Sequence, residues 1–303
     1  MHTKQVGEHI FLIDLETGGF KNLIASYVLK GTKIIIVETG PTSSIPNLLL
    51  GLKELNVALD EVAYVAISHV HIDHGGGVGT LLKSLPNAKV IVHPRGTAHL
   101  VDPTKLWLQS KQVLGQVADI YGAPEPVPEN RIIAAEDGFA INAGNNLHLE
   151  AIETLGHASH NLSYHESLNE AIFPGDAAGM YISEFDVVVP TTPPPFHLDV
   201  ALQSLDKLAS FKPQVLYYSH FGKASDGVKR LQDYALQIKR WGEIAEEGVR
   251  KGQNAYIITE RILREDEVMR KAASFFKPHP VLMKTAIENS VQGFIDYAEK
   301  SQA

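Results

Sequence analysis

His69, His71, Asp73 and His74 place three imidazoles and a carboxylate within six residues of one another, in the run Ser68-His69-Val70-His71-Ile72-Asp73-His74-Gly75-Gly76-Gly77. What these types at this spacing could do is bind metal. Neutral imidazole nitrogens and carboxylate oxygens without a thiolate suit zinc, iron(II) or manganese(II), and argue against a thiolate-rich structural zinc site. The apolar run Val62-Ala63-Tyr64-Val65-Ala66-Ile67 just before them reads as a buried strand. Alternation along the last extended residues aims His69 and His71 to one side, and the turn into the glycines swings Asp73 and His74 toward a second point nearby. One loop at a strand end can therefore serve two metal ions.

Such a loop needs rigid elements on both sides. Short apolar runs over 9–15, 23–29 and 33–37 are separated by Thr17-Gly18-Gly19 and Lys30-Gly31-Thr32, which is turn chemistry and predicts an antiparallel start to a sheet. Ile45, Leu48, Leu49, Leu52 and Leu55 recur at helical spacing and predict a helix over 44–55 leading into the metal-loop strand. A helix over 78–85 and a strand over 89–92 complete a parallel strand-helix-strand unit. Asp102-Pro103 then opens a helix with Leu106, Val113, Leu114, Val117 and Tyr121 on its apolar face, placed to form a lid or wall over the site. Strands over 131–134, 139–141, 147–152, 162–165 and 171–173 are expected to make a second antiparallel sheet. The run Pro190-Thr191-Thr192-Pro193-Pro194-Pro195-Phe196-His197 predicts a stiff loop, followed by a helix over 198–211 and a strand over 214–218. Beyond Gly222 the pattern is helical only: Ser225 is expected to cap a long helix closing near Gly252, and helices over 265–276 and 280–300 follow, separated by Lys277-Pro278-His279-Pro280. The expected organisation is a sandwich over 1–222 and a helical region over 223–303 packed on it.

Composition narrows the function classes. A chain of 303 residues that is 44% apolar can bury one large core, or one core with an appendage. A net charge of −8 disfavours nucleic acid and anionic membrane surfaces as partners, since both require a basic face. Cysteine is absent, which removes disulfides, thiolate nucleophiles and Cys-ligated metals from consideration. The first residues lack an export-signal pattern and no apolar run reaches the ~18 residues of a membrane span, so a cytoplasmic protein is expected.

H-x-H-x-D-H after a strand resembles the signature of the metallo-β-lactamase superfamily, and three further pieces of that pattern occur in order: Thr154-Leu155-Gly156-His157, Phe173-Pro174-Gly175-Asp176 and Tyr218-Ser219-His220-Phe221-Gly222. The resemblance runs from about residue 8 to 222 and implies an α+β fold, a four-layer αββα sandwich with metals at the edge between its sheets, here with a C-terminal helical extension. It also implies that His69, His71 and His157 hold one metal, that Asp73, His74 and His220 hold the other, and that Asp176 bridges them. Two divalent transition metal ions are expected, zinc first, with iron or manganese as the other choices. Glu38, in Glu38-Thr39-Gly40-Pro41, stands where the family usually has an Asp that orients a metal-binding His, and a carboxylate one carbon longer can do the same work. His160 matches a second His often found in that loop, beside the ligands without binding metal. The layout is closest to a glyoxalase II-like or lactonase-like branch, although Ala177-Ala178-Gly179-Met180-Tyr181 does not carry the Thr-Leu-Phe that usually follows this Asp in glyoxalase II.

The chemistry implied is hydrolysis. A water bridging two dications is deprotonated near neutral pH and attacks a carbonyl polarised by one of them, while Asp73 or Asp176 passes a proton to the leaving group. A small-molecule thioester, lactone or related ester is the expected substrate, in a cleft to which Phe196, His197 and Tyr121 are the candidate contributors. A homo-oligomer through the C-terminal helices is expected on general grounds. Three other readings use the same motif: a mononuclear iron oxygenase resembling persulfide dioxygenases, a non-catalytic metal-binding or sensor protein, and a nuclease cleaving RNA phosphodiesters.

Overall fold

In the run Ala25–Lys30, Tyr27 and Leu29 enter one apolar cluster while Val28 enters another, which is the two-sided burial of a strand lying between two layers. A computed structural model describes residues 2–276 and 282–302 and shows this pattern repeated in both sheets of a sandwich. The first sheet has seven strands in sequence order: β1 (Thr3–Gly7), β2 (Ile10–Asp14), β3 (Ala25–Lys30), β4 (Ile34–Val37), β5 (Val62–Ala66), β6 (Lys89–Val92) and β7 (Ile132–Ala134). Its first four strands pair antiparallel and the rest parallel. The second sheet is built from β8 (Ala140–Gly144), β9 (Leu147–Glu153), β10 (Leu162–Glu166) and β11 (Ala171–Phe173), continued by β14 (Val215–Tyr218) and β15 (Gly222–Ser225). Between β11 and β14 the chain makes a separate hairpin, β12 (Met180–Ile182) with β13 (Val187–Val189). Tyr27, Leu29 and Ile35 of the first sheet meet Leu149, Leu162, Phe173 and Tyr217 of the second in a shared cluster. This is the expected α+β sandwich of two sheets with helices on the outside.

Long-range hydrogen bonds sew the sheets together beside the metal-loop residues. Tyr164 donates its hydroxyl to the carbonyl of Ile67 (2.7 Å), Leu162 N–H donates to the carbonyl of Ser68 (2.8 Å), and Tyr27 donates to the carbonyl of Tyr218 (2.6 Å). All three lock segments adjacent to His69 or His220. Outside the first sheet lie α1 (Ile45–Glu54), α2 (Val78–Leu82), α3 (Thr97–Val101), α4 (Thr104–Leu114) and α5 (Gln116–Tyr121), and α6 (Leu198–Ser210) leads into β14.

The C-terminal helices are α7 (Gly227–Arg250), α8 (Ala255–Glu265), α9 (Glu267–Phe276) and α10 (Asn289–Gln302), the last preceded by a π-helical turn, Met283–Glu288. Trp241, Ile262, Phe276 and Phe294 share one apolar cluster with Leu205, Leu208 and Leu216 of the sandwich, so these helices extend the main core. No helix among the described residues is long and apolar enough to cross a membrane.

Several expectations are corrected. The strand at Ile132–Ala134 joins the first sheet, parallel to β6, because three residues carry no pattern that specifies a distant partner. The single helix expected from Asp102 is broken into α4 and α5 at Gly115, whose backbone (φ +58, ψ −127) is not helical. Ser225 does not cap α7: it is the last residue of β15, paired with Val215, and Asp226 takes the cap position without a side-chain bond. Strand β1, the hairpin β12–β13, strand β15 just past Gly222 and helix α8 were not expected from the sequence, and the second sheet is mixed, since β11 pairs parallel with β14. The segment Lys277-Pro278-His279-Pro280, and with it the start of the helix expected over 280–300, lies outside the described residues.

Candidate metal centre

Each of the side chains expected to bind metal leaves the end of a strand. His69, His71, Asp73 and His74 follow β5; His157 follows β9; Asp176 follows β11; His220 sits between β14 and β15. The loop after β5 turns tightly, with the N–H groups of His74 and Gly75 both donating to the carbonyl of His71 (3.0 and 2.9 Å), and a Cβ at Gly76 would meet the carbonyl oxygen of Ile72 at 2.1 Å. Gly175 has φ +56, and a Cβ there would fall 2.4 Å from that of Ser68, so only glycine delivers Asp176 this close to the loop.

These residues converge as three overlapping groups whose ligand atoms lie within 4.8 Å of one another: His69, His71 and His157; His69, His74 and Asp176; and Asp73, His74 and His220. His71 Nδ1 is 2.9 Å from His69 Nε2 and 3.1 Å from His157 Nε2, while His74 Nε2 and His220 Nε2 are 3.2 Å apart. Asp176 faces both sides, with Oδ2 3.7 Å from His157 Nε2 and Oδ1 3.3 Å from His74 Nε2. Asp73 Oδ2 lies 3.6 Å from His220 Nε2. Behind two of the rings, backbone carbonyls fix the tautomers, and a carboxylate lies behind a third. His157 Nδ1 donates to the carbonyl of Thr191 (2.7 Å), His220 Nδ1 donates to the carbonyl of Leu23 (3.0 Å), and His74 Nδ1 lies 3.3 Å from Glu38 Oε2. Carbonyls can only accept, so the proton sits outward and the neutral Nε2 lone pair points inward. Glu38 itself is held by the N–H of Ser68 (2.9 Å).

The protonation equilibria of the two sides differ in sign. Burial lowers His69, and His74 and His71 add to it; burial and His157 take His71 down to about 3, and burial also lowers His157 against the pull of Asp176. On the other side burial also disfavours charge, yet Asp176 and Asp73 hold His74 and His220 above the usual imidazole range. Burial alone would raise Asp73 and Asp176, but the neighbouring imidazoles, His74 foremost, keep both carboxyls below the usual carboxylate range.

These groups open onto a cavity of about 440 Å³, into which His71, Asp73, His157, Asp176 and His220 project. Tyr121 lines it as expected, its hydroxyl pushed up by burial and by Asp73 and Asp176. His160 also lines it, its ring centroid 5.9 Å from that of His71, and burial together with His99 lowers it to about 4. Phe196 and His197 do not line it. Phe196 is buried against Phe294 in the helical layer (4.9 Å between centroids), and His197 is exposed at the start of α6; the proline loop meets the cavity through Thr191 and Pro193–Pro195 instead. Neither His99 nor the residues that α10 and its preceding turn add to the wall carry a sequence signal, because an isolated His and an amphipathic helix look the same wherever they pack. His93 pairs with Glu153 (2.7 Å), away from the ligand atoms.

The family model described as the metallo-beta-lactamase superfamily matches residues 21–220. The chain belongs to this superfamily. It is 30% identical over 230 residues to the metallo-beta-lactamase fold-containing protein ST1585 of Sulfurisphaera tokodaii, covering 74% of this chain and 82% of that protein. The crystal structure of ST1585, titled as that of an archaeal metallo-beta-lactamase superfamily protein, superimposes with a TM-score of 0.63 at 29% identity, over 71% of this chain and 80% of that one. The metallo-beta-lactamase family protein TTHA1429 of Thermus thermophilus shares the fold with a TM-score of 0.65 at 20% identity, over 92% and 89% of the two chains.

The metallo-beta-lactamase fold implies divalent metal ions, and the donor set of this chain suits them. With Nδ1 of His220 donating to a carbonyl, its Nε2 lone pair faces Nε2 of His74 at 3.2 Å, a contact that needs a cation or a proton between the two nitrogens. Asp176 Oδ1 is buried and makes no hydrogen bond, which a buried carboxylate oxygen tolerates only beside positive charge. His160 Nδ1 is likewise buried without a partner.

Proposed function

We propose that this protein is a metal-dependent hydrolase that cleaves a thioester, lactone or related ester at a binuclear site. The observation that carries the reading is the convergence of seven donor side chains, five of them on the floor of one cavity and His69 and His74 buried beneath it, in two groups joined by Asp176. His69, His71 and His157 would hold one ion, Asp73, His74 and His220 the other, and Asp176 would reach both. Zinc is the first choice for this set, with iron or manganese open to the same donors. When bound, two such ions supply a nucleophile from water at neutral pH and polarise the scissile carbonyl, with no need for a Ser or Cys nucleophile.

The remaining work belongs to the chain. The carbonyls of Thr191 and Leu23 fix the tautomers of His157 and His220, and Glu38 sets a carboxylate 3.3 Å behind His74, so that little reorganisation is required when charge develops. Asp73 is the less buried of the two carboxylates, its side chain 25% exposed against 7% for Asp176, and stands where it can hand a proton to a departing alcohol or thiol. Tyr121 and His160, both on the cavity wall, are in place to orient the acyl carbonyl. The test is a panel of thioesters, lactones and simple esters assayed with the metal-loaded protein and again after chelation. Turnover that disappears with chelation and returns with metal supports the reading, whereas equal turnover in both conditions, or none across the panel, defeats it.

A further inference from the structure

Above the metal-binding floor, the cavity is walled by apolar side chains from three separate parts of the chain. Leu106, Val113 and Leu114 come from α4, Met180 from β12, and Leu282 and Ala286 from the segment leading into α10. Polar contributions on the wall are mostly uncharged: the carboxamides of Gln109, Gln112 and Asn289, with Ser290 already spent on the carbonyl of Pro190 and the N–H of Thr192. Among the described residues that line the cavity, every ionisable group other than Tyr121 is a histidine or an aspartate of the floor or its rim, and none is a lysine or arginine. Val113 faces this cavity while remaining 57% exposed, an apolar surface that a bound molecule would cover.

From this wall we infer that the substrate is an uncharged ester, thioester or lactone whose acyl group carries an apolar arm, and that the arm lies under α4 against Val113 and Leu114. A substrate with an anionic group far from the scissile bond would set that charge among Leu106, Met180 and Leu282, with carboxamides and the imidazoles of His99 and His160 in reach but no lysine or arginine to pair with it, which costs more than it returns. Placed instead with its carbonyl at the floor, an uncharged acyl donor needs only water to complete the reaction. The bond between acyl carbon and oxygen or sulfur breaks, hydroxide joins the carbon, the proton goes to the leaving group, and the products are a carboxylic acid and an alcohol or thiol. The inference rests on the hydrolase reading for the bond that is cleaved, but the preference of the cavity can be measured without turnover.

Trp107 lies on α4 and the other tryptophan, Trp241, is fully buried among the C-terminal helices, so emission from Trp107 reports on the cavity roof. The zinc-loaded full chain is titrated with methyl octyl ketone, which has no scissile bond, and with the same ketone ending in a carboxylate. The uncharged ketone is expected to bind saturably and at least about tenfold more tightly than the charged one, and Val113→Lys is expected to erase or reverse that ratio. Equal binding of the two ketones, or a ratio unchanged in Val113→Lys, overturns the inference; the substitution is on an exposed position, and Leu114→Ala provides a second variant expected to weaken the uncharged ketone alone. The same pair of acyl groups is then compared as esters. If the ketones are discriminated but no ester turns over, the hydrolase reading falls and the binding preference stands. If both esters are cleaved with equal kcat/KM, the hydrolase reading stands and this inference falls.

Discussion

At and beneath the floor of the cavity, His69, His74 and Asp176 are 0%, 1% and 5% exposed, and the imidazoles of His157 and His220 each donate to a carbonyl behind them; on its roof, α4 leaves Leu108 and Val113 57% exposed and buries Leu106. The two surfaces face one cavity and are opposite in construction. The floor is over-determined, with candidate ligands drawn from four strand ends and bonds between the two sheets beside them. The roof is a short helix, bounded at one end by Asp102 and at the other by Gly115, with apolar side chains left open to solvent. On the reading proposed above, chemistry falls to the buried floor and selection of substrate to the exposed roof.

The sharpest way to break that contrast is at the floor. Asp176→Asn and His157→Ala should each lower kcat/KM on the order of a thousandfold or more and reduce bound metal, while leaving the chain folded, as judged by circular dichroism and by metal analysis on the same samples. Glu38→Ala comes next: it removes the acceptor behind His74 and leaves the N–H of Ser68 without a partner, so metal affinity should fall about 10- to 100-fold. Stability should fall with it, by about 1–3 kcal/mol in a denaturant titration. Glu38→Gln, which keeps the acceptor and loses the charge, should recover most of the stability and only part of the affinity.

The two halves of the floor can also be set against each other by pH. His74 and His220 are raised, so in the metal-free protein they bind protons that an incoming ion must displace, and metal affinity on their side should fall as pH is lowered through their raised range. His69, His71 and His157 are lowered, His71 to about 3, so they stay neutral and able to bind metal well into acid. Acidification should release the ion of the Asp73, His74 and His220 group first. Metal release followed with a chromogenic chelator should show two steps, and Asp73→Asn should shift only the step at higher pH.

On the roof, effects should be small and should appear in KM. Gly115→Ala forces a side chain into φ +58, ψ −127, a strain of about 1–3 kcal/mol that α4 can relieve by shifting, so KM should rise a few-fold with kcat unchanged. Leu108→Gln on the outer face of α4 should change stability by no more than about 0.5 kcal/mol and leave both constants alone. A roof substitution that lowered kcat as much as Glu38→Ala would erase the distinction between the two surfaces.

The same contrast explains what could be read from the sequence. The convergence at the floor was legible because its candidate ligands are marked by residue type and short spacing: His69 to His74 after an apolar strand, and Gly175-Asp176 and Ser219-His220 at later strand ends. Glu38 was legible only through its place before Thr39-Gly40, and its contact with His74 depends on a strand end brought in from 36 residues away in the chain. The roof and walls were not legible in the same way. The proline loop was expected to present Phe196 and His197, but burial of an aromatic ring against Phe294 outweighs its exposure in a cleft, and so the prolines themselves face the cavity. The three residues of β7 fit either sheet until β6 is in place beside them. The walls from Met180, Leu282 and Ala286 follow from how the C-terminal helices pack, and helical periodicity says which face is apolar without saying what it meets.

The central claim is that the floor holds two ions through two groups of ligands, and metal content tests it most directly. The native chain and His220→Ala are purified without added metal and their transition metals counted per chain. About two equivalents in the native protein, falling to about one in the variant together with loss of ester or thioester hydrolysis, is the result expected of a binuclear hydrolase. One equivalent of iron, retained in His220→Ala and accompanied by oxygen uptake with a persulfide, would contradict it and make the site a mononuclear oxygenase.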